Sequence, residues 1–193
     1  MVQLTCIATR GGDLGNTSLG NGKRVSKNSL RINTIGSVDE LNSLIGVAIA
    51  TEGNALSTEL ITSLRTDLKA LQNDLFDVGA DLCMPDQDQA GLRISSHQVH
   101  RLDEELERYN AHLNPLKSFV LPGGTALAAQ LHVCRTVARH AERHLVALNE
   151  SEPLNPELLR YFNRLSDVFF VMARVANDKG RLDVLWEPGK HHS

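Results

Sequence analysis

The stretch that decides the fold is residues 125–148, with the sequence TALAAQLHVCRTVARHAERHLVAL. Its apolar residues recur every three or four positions, which is the period of an amphipathic helix and not the two-residue alternation of a strand. These residues are Leu127, Leu131, Cys134, Ala138, Ala141, Leu145 and Leu148. The stretch therefore predicts a long helix with one side packed in a core.

Four other stretches have the same spacing. The segment Ser37-Val38-Asp39-Glu40 matches a capping box, so a first helix is expected to begin at Ser37. Further helices are predicted over 56–81, from Ser95 or Ser96 to about residue 110, and over 157–179. Turn signals separate them: Gly53-Asn54, the polar residues 86–91, and prolines. No stretch shows convincing strand alternation.

The pattern predicts an all-α fold, a five-helix bundle of the up-and-down type in a single domain over 1–193. Residues 1–36 form an N-terminal loop, 37–180 the bundle, and 181–193 a C-terminal tail. The chain of 193 residues has 41% hydrophobic and 22% charged residues and a net charge of −3, which is ordinary for a soluble protein.

Composition also excludes several partners. No basic footprint for nucleic acid is present, and the longest apolar run is too short to span a membrane. The three cysteines Cys6, Cys83 and Cys134 form neither a disulfide framework nor a zinc motif. With no signal peptide evident, these features indicate a reducing, cytoplasmic location.

A glycine-rich segment, TRGGDLGNTSLGNGKRVSK at residues 9–27, precedes the first helix. Glycines, hydroxyl side chains and cations together suit a polyphosphate, because backbone N–H groups can turn toward the anion. A flexible N-terminal arm is the alternative, and composition alone favours it. The segment is not a Walker A motif.

Charged residues share one face of the helix at 125–148. Arg135, Arg139, Glu142 and Arg143 lie at positions i, i+4, i+7 and i+8, and arginine forks bind phosphate or carboxylate. An exposed salt-bridge ladder is the alternative. On the last helix, a stripe through Asn163, Ser166, Phe170 and Arg174, beside Arg164 and Asp167, forms either a polar pocket wall or surface groups and caps.

No metal site is expected. The pairs His140/His144 and His97/His100 have helical spacing but no third ligand, and the Glu-x-x-His motif of di-iron bundles is missing. A nucleophile elbow or a Cys–His pair is likewise missing.

Several blocks, taken in order, resemble the ATP:corrinoid adenosyltransferases of the family associated with propanediol utilisation. They are TRGGDLGNTS at 9–18 with Lys27, GSVDELN at 36–42, FVLPGG at 119–124, RTVARHAER at 135–143 and NRLSD at 163–167. Each block alone is weak, but their order and spacing are specific, and the resemblance covers nearly the whole chain.

The resemblance implies a homotrimer of five-helix bundles with each site between neighbouring subunits. It implies an Asp39–Arg135 ion pair across that interface. The implied ATP contacts come from the N-terminal loop and from the last two helices: Thr9, Arg10, Gly11, Gly12, Thr17, Ser18 and Lys27, then Arg139, Glu142, Arg143 and Asn163. Two positions depart from the family pattern: Gly11 replaces a common threonine, and His140 replaces a common arginine.

The implied reaction is attack of cobalt(I) of reduced cobalamin on the 5′ carbon of ATP, with triphosphate leaving. Mg²⁺ accompanies ATP, and Lys27 and Arg139 would hold the triphosphate. Phe119 is the expected aromatic wall that displaces the lower cobalt ligand. Trp186 either closes this pocket or only anchors the tail. A reductase and a cobalamin-dependent acceptor enzyme are the implied protein partners.

Two other functions remain open at this point. The chain is alternatively a non-catalytic ATP-binding helical bundle that carries or delivers cobalamin. A purely structural bundle is the third alternative, and it predicts no effect of ATP on thermal stability.

Overall fold

Helices form most of the molecule in a computed structural model that describes residues 7–53, 55–85 and 91–190. The elements are β1 (Asn16–Ser18), β2 (Arg24–Ser26), α1 (Leu30–Ala50), α2 (Thr58–Cys83), α3 (Ser96–Asn110), α4 (Ala126–Ser151) and α5 (Pro156–Ala176). The predicted all-α bundle is therefore confirmed. Cys6, Asn54 of the predicted turn and residues 86–90 of the predicted loop lie outside the described residues.

The helix α4 lies at the centre of the bundle. It packs against α1 on one side and α5 on the other, while α2 packs on α1 and α3 packs on α5. All seven residues of its predicted apolar stripe are buried, as is nearly every position of α5 after Asp167. Burial of these faces supplies the main driving force for folding.

Side chains that accept hydrogen bonds begin three of the helices close to the predicted positions. Ser57 accepts from the backbone N–H of Leu60 at 3.4 Å, and Thr125 accepts from that of Ala128 at 3.2 Å. Asn155 accepts from the N–H of Glu157 at 3.1 Å. Each bond satisfies a donor that the first helical turn leaves free.

The start of α1 was predicted wrongly. The helix begins at Leu30, and Ser37 lies inside it, where its Oγ donates to the carbonyl of Asn33 at 3.0 Å. The physical reason is Arg31, which is buried, donates to the carbonyl of Leu82 at 2.7 Å and pairs with Glu152. These tertiary contacts stabilise a helical turn that the local sequence does not signal.

The prediction of no strands was also wrong. Strands β1 and β2 pair antiparallel, with Thr17 opposite Val25, and form a hairpin with a turn at Gly22, whose φ is +82°. The hairpin rests on the bundle because Leu19 is buried and the N–H of Gly20 donates to the carbonyl of Cys83 at 2.9 Å. Strands of three residues are too short to show alternation in the sequence.

Within the described ranges, no helix is both long and apolar enough to cross a membrane.

Candidate functional site

The ammonium group of Lys27 lies beside Gly12. A Cβ on Gly12 would come within 2.9 Å of Lys27 Nζ, so a larger residue here would displace the ammonium group from its present position. The backbone N–H of Lys27 donates to the carbonyl of Gly15 at 2.8 Å. The glycine-rich segment therefore closes into a loop that holds one cation against exposed backbone.

A second cation of the hairpin organises its backbone. Arg24 donates to the carbonyls of Gly11 at 2.6 Å and Asn16 at 3.1 Å, and to Oγ of Ser18 at 3.2 Å. Thr9, Arg10, Gly11 and Ser18 are exposed, and Thr17 is half-buried. Arg24 therefore ties the backbone near Gly11 to that of the hairpin, and the predicted contact residues on these segments are at least partly accessible.

The arginine face of α4 consists of Arg135, Arg139 and Arg143. None of the three forms an ion pair with any residue in the described part of the chain, so they do not make the salt-bridge ladder. Burial, and then the neighbouring charge of Arg139, lowers the pKa of Arg135. Arg139 does act on the nearby carboxyl of Asp167, whose pKa burial raises and the charges of Arg164 and Arg139 lower. Concentrated positive charge that no described carboxylate pairs with directly favours binding of an anion.

Glu142 joins this face to α5. Its Oε1 accepts from Nδ2 of Asn163 at 3.1 Å, while Oδ1 of Asn163 accepts from Nη1 of Arg164 at 3.3 Å. Arg164 also pairs with Asp103 of α3. The arrangement fixes the orientation of the Asn163 amide, and Asp103 is a member of the cluster that sequence reasoning missed.

Part of the stripe predicted on α5 belongs to the core instead. Ser166 is buried and donates to the carbonyl of Asn163 at 3.2 Å. Arg174 is buried in an ion pair with Asp183. The accessible polar residues of the predicted stripe are therefore confined to Asn163, Arg164 and Asp167, because nearly all residues of α5 after Asp167 are buried.

An open cavity of about 590 Å³ adjoins the arginine face. Its lining combines the segment 116–120 with α4 and α5: Leu116, Lys117, Ser118, Phe119, Val120, His132, Arg135 and Phe170. Phe119 is 77% exposed and its ring centroid lies 6.1 Å from that of Trp186. A mainly apolar lining that also carries Lys117, Ser118 and Arg135 suits a large ligand that is mostly apolar and carries polar groups at its rim.

His132 also lines this cavity, and sequence reasoning missed it. The side chain is buried, and its ring centroid lies 6.2 Å from that of Phe170. Burial, and then the charge of Arg135, lowers the pKa of His132, so the imidazole is neutral at pH 7. Its position three residues before Arg135 is the signal that could have identified it.

A groove of about 510 Å³ lies between α1 and α2, and Asp39 is exposed on it. The other lining residues are mainly apolar: Ile32, Ile35, Gly36, Val38, Asn42, Leu75, Phe76, Gly79, Ala80 and Cys83. Phe76 is 73% exposed. Within one chain, Asp39 and Arg135 thus line different concave surfaces.

The rings of His140 and His144 lie 4.5 Å apart beside the arginine face. His144 Nδ1 is 2.7 Å from Oγ of Ser37, which ties this histidine to α1. Burial, and then the neighbouring His140 and Arg143, lowers the pKa of His144. Among the residues that the structure describes, no group of three His, Cys, Asp or Glu side chains could hold a metal ion.

Comparison with known proteins identifies the class. The family model for cobalamin adenosyltransferase matches residues 7–176. The cobalamin adenosyltransferase of Cupriavidus metallidurans is 49% identical, over 96% of each chain. The corrinoid adenosyltransferase of Mycobacterium leprae is 47% identical, over 97% of this chain and 98% of the relative.

A solved structure has the same fold. It is a variant PduO-type ATP:corrinoid adenosyltransferase from Lactobacillus reuteri complexed with cobalamin and ATP. It is 36% identical, with a TM-score of 0.86 over 95% of this chain and 97% of that one.

The fold and these similarities define an all-α enzyme that transfers an adenosyl group from ATP to a corrinoid. The chain belongs to the cobalamin adenosyltransferase family. The predictions of family, fold and reaction class are therefore confirmed.

Proposed function

We propose that this chain transfers the 5′-deoxyadenosyl group of ATP to cobalt(I) of reduced cobalamin at a site between two subunits of a homotrimer. The products are adenosylcobalamin and triphosphate. The observation that carries the proposal is the face of three arginines that no carboxylate of the described residues pairs with, next to the cavity that Phe119 and Phe170 line.

ATP is bound by the glycine-rich segment and the arginine face. Exposed backbone and hydroxyl groups of Thr9, Gly11 and Ser18 surround the triphosphate, and Lys27 and Arg139 neutralise its charge. Thr17, Arg10, Gly12, Glu142, Arg143 and Asn163 complete the contacts. Mg²⁺ fits here because it prefers oxygen ligands, which phosphates and hydroxyls supply, and it stabilises the charge of the leaving group when bound.

The transfer needs no protein nucleophile. The electron pair of cobalt(I) forms the cobalt–carbon bond at C5′, the C5′–oxygen bond breaks, and triphosphate leaves with that electron pair. The protein contributes orientation of the two substrates and cations placed where negative charge develops.

The cavity beside Arg135 receives the corrinoid. Phe119 presents a bare aromatic ring there, which excludes water from the lower face of cobalt. Trp186 lies against Phe119 and donates its backbone N–H to the Phe119 carbonyl at 2.8 Å, so it both anchors the tail and extends the apolar wall.

The site is completed by a neighbouring subunit. Asp39 lies in an apolar groove, exposed and without a partner among the described ion pairs, and Arg135 lies on a separate cavity. An ion pair between them therefore forms between copies. The exposed Phe76 beside Asp39 supplies apolar surface for the same contact.

The reaction implies two protein partners and a reducing compartment. Cobalt(I) requires a reductase as electron donor, and the product serves a cobalamin-dependent acceptor enzyme. The described cysteines Cys83 and Cys134 are both free, which fits a reducing cytoplasm.

The visible absorption spectrum of the corrinoid tests this proposal. The protein is mixed with ATP, Mg²⁺ and chemically reduced cobalamin, and the visible spectrum is followed for adenosylcobalamin. Formation at a rate proportional to protein concentration supports the proposal. ATP-dependent thermal stabilisation without any spectral change would identify a non-catalytic bundle that binds ATP and carries cobalamin. Absence of both effects would identify a structural bundle.

A further inference from the structure

Phe119 is held in place by backbone contacts with the tail and not by burial. It is 77% exposed, so the core does not fix it. Its carbonyl accepts from the N–H of Trp186 at 2.8 Å, and the N–H of Leu121 donates to the carbonyl of Val184 at 2.8 Å. Ser118 Oγ donates to the carbonyl of Trp186 at 2.8 Å. We call residues 118–121 and 184–186 the strap.

Both halves of the strap are connected to one side-chain amide. Asn177 Oδ1 accepts from the N–H of Thr125 at 3.2 Å, just after the turn that follows the first half. Asn177 Nδ2 donates to Oδ1 of Asp183 at 2.9 Å, and Asp183 immediately precedes the second half. The position of each half relative to the other therefore depends on this amide.

The surroundings leave Asn177 little freedom. It is 2% exposed, and a Cβ on Gly124, whose φ is +99°, would come within 2.2 Å of its Oδ1. The second carboxylate oxygen of Asp183 accepts from Nε of Arg174 at 2.8 Å, and both of these side chains are buried. Arg174 in turn donates to the carbonyl of Asn114 at 3.0 Å, which fixes the segment leading into the strap.

We propose that Asn177 and Asp183 are positioning residues for the corrinoid cavity. They act through the strap, whose geometry sets where the rings of Phe119 and Trp186 stand relative to each other. A small displacement of an apolar wall matters because reacting groups must be held in close alignment. The inference rests on the proposed role of the cavity in binding the corrinoid.

The effect of Asn177 on the strap is testable without substrate. Trp186 is the single tryptophan of the chain, so intrinsic fluorescence of the free protein reports on the strap. In Asn177→Ala we expect a red-shifted emission maximum and stronger quenching by acrylamide. Unchanged emission and quenching in a folded Asn177→Ala protein would overturn the proposal.

Asn155→Ala is the matched control. Asn155 begins α5 at its other end and donates to Oδ2 of Asp81 at 2.8 Å and to the carbonyl of Ile94 at 2.7 Å. Its loss removes two partly buried hydrogen bonds, as the loss of Asn177 does, without touching the strap. We expect a lower melting temperature with unchanged Trp186 emission, whereas an equal red shift in this control would overturn the proposal.

Steady-state kinetics test whether the position of the strap affects binding of the corrinoid. In Asn177→Ala, KM for cob(I)alamin is expected to rise about tenfold while KM for ATP changes less than about twofold. If that variant does not fold, Ser118→Ala is measured instead, because it removes one hydrogen bond at a half-buried position and is expected to give the same changes to a smaller degree.

The two proposals fail in distinguishable ways. If Trp186 emission shifts but KM for cob(I)alamin does not, while Phe119→Ala does raise it, Asn177 is not a positioning residue. If Phe119→Ala also leaves KM for cob(I)alamin unchanged, the assignment of the corrinoid cavity is wrong, and the inference about Asn177 is overturned with it.

Discussion

The Asn163 amide donates to the Glu142 carboxylate, with 3.1 Å between Nδ2 and Oε1, and so joins α5 to the arginine face of α4. The amide engages one oxygen of this carboxylate, and among the described residues Glu142 forms no ion pair with the arginines of its own helix. The positive charge of Arg139 and Arg143 is thereby left for an anionic ligand.

Asn163→Ala removes that restraint. Glu142 then becomes free to pair with Arg139, three residues earlier on the same helix. We expect KM for ATP to rise about fivefold, which is about 1 kcal/mol and the usual contribution of one hydrogen bond. Asn73→Ala is the control, because Asn73 is exposed on α2 and its side-chain amide donates to the carbonyl of Lys69 in the same helix. An unchanged KM for ATP in Asn163→Ala would contradict the role given to this pair.

Gly12→Ala tests the approach of Lys27 to the loop. The new Cβ would lie 2.9 Å from Nζ and must displace the ammonium. Since Lys27 is exposed and flexible, the melting temperature should hardly change, while KM for ATP rises about tenfold, or about 1.4 kcal/mol.

Gly11→Ala is the matched comparison for that variant. Its Cβ would meet only Thr9 Oγ1, at the ordinary contact distance of 3.9 Å. We therefore expect a smaller rise in KM for ATP than in Gly12→Ala. Equal values for the two variants would show that the position of Lys27 is not what Gly12 protects.

Asp39→Ala and Arg135→Ala should each lose most of their turnover and keep their fold, because Asp39 is exposed and Arg135 is only half-buried. If the two residues pair between subunits, coexpression of the two variants restores intact pairs. If the two variants assemble at random into rings, about a quarter of the sites contain an intact Asp39 and an intact Arg135, so about a quarter of the wild-type activity is expected.

That mixing experiment has a clear negative result. Mixed oligomers, verified by distinct affinity tags, that show no activity above the single variants would place Asp39 and Arg135 outside a shared site. Light scattering on the same samples measures the number of subunits.

Glu105 should make stability depend on pH. It is 5% exposed, and Oε2 has no hydrogen-bond partner among the described residues. Burial, and then the charge of Asp67, raises its pKa to about 7, against the opposing effects of Arg101 and Arg108. Since the folded pKa exceeds the unfolded one, the stabilisation is fully present below pH 4.5 and is lost as pH rises through about 7.

Glu105→Gln removes this titration. At about 1.4 kcal/mol per pKa unit, the free energy of unfolding of the variant should rise by on the order of 3 kcal/mol relative to that of wild type between pH 4.5 and 8. Calorimetry should show this as a smaller fall in melting temperature over the same range. Glu104→Gln is the control, since Glu104 is 66% exposed and pairs with His100, which is also exposed, on the same helix. Parallel melting curves for wild type and Glu105→Gln across this range would refute the assignment.

Most of the bundle could be predicted because the signals that specify a helix lie within a few neighbouring residues of the sequence. Apolar residues at helical spacing and side chains such as Thr125 at the helix start act over a few residues, so the sequence shows them. The order of the glycine-rich segment, Asp39, the arginines and Asn163 likewise indicated the family before any geometry was known. By itself, then, the sequence determined the helical class, the bounds of α3 to within about one residue and the reaction class.

Only the tertiary structure decided how these parts are held. Arg31 extends α1 through contacts with Leu82 and Glu152, and the hairpin rests on Cys83. Asn177 unites the turn before α4 with the tail. Such hydrogen bonds join residues that are distant in the chain and leave no periodic pattern, because their energy depends on buried geometry that exists only after the helices have packed.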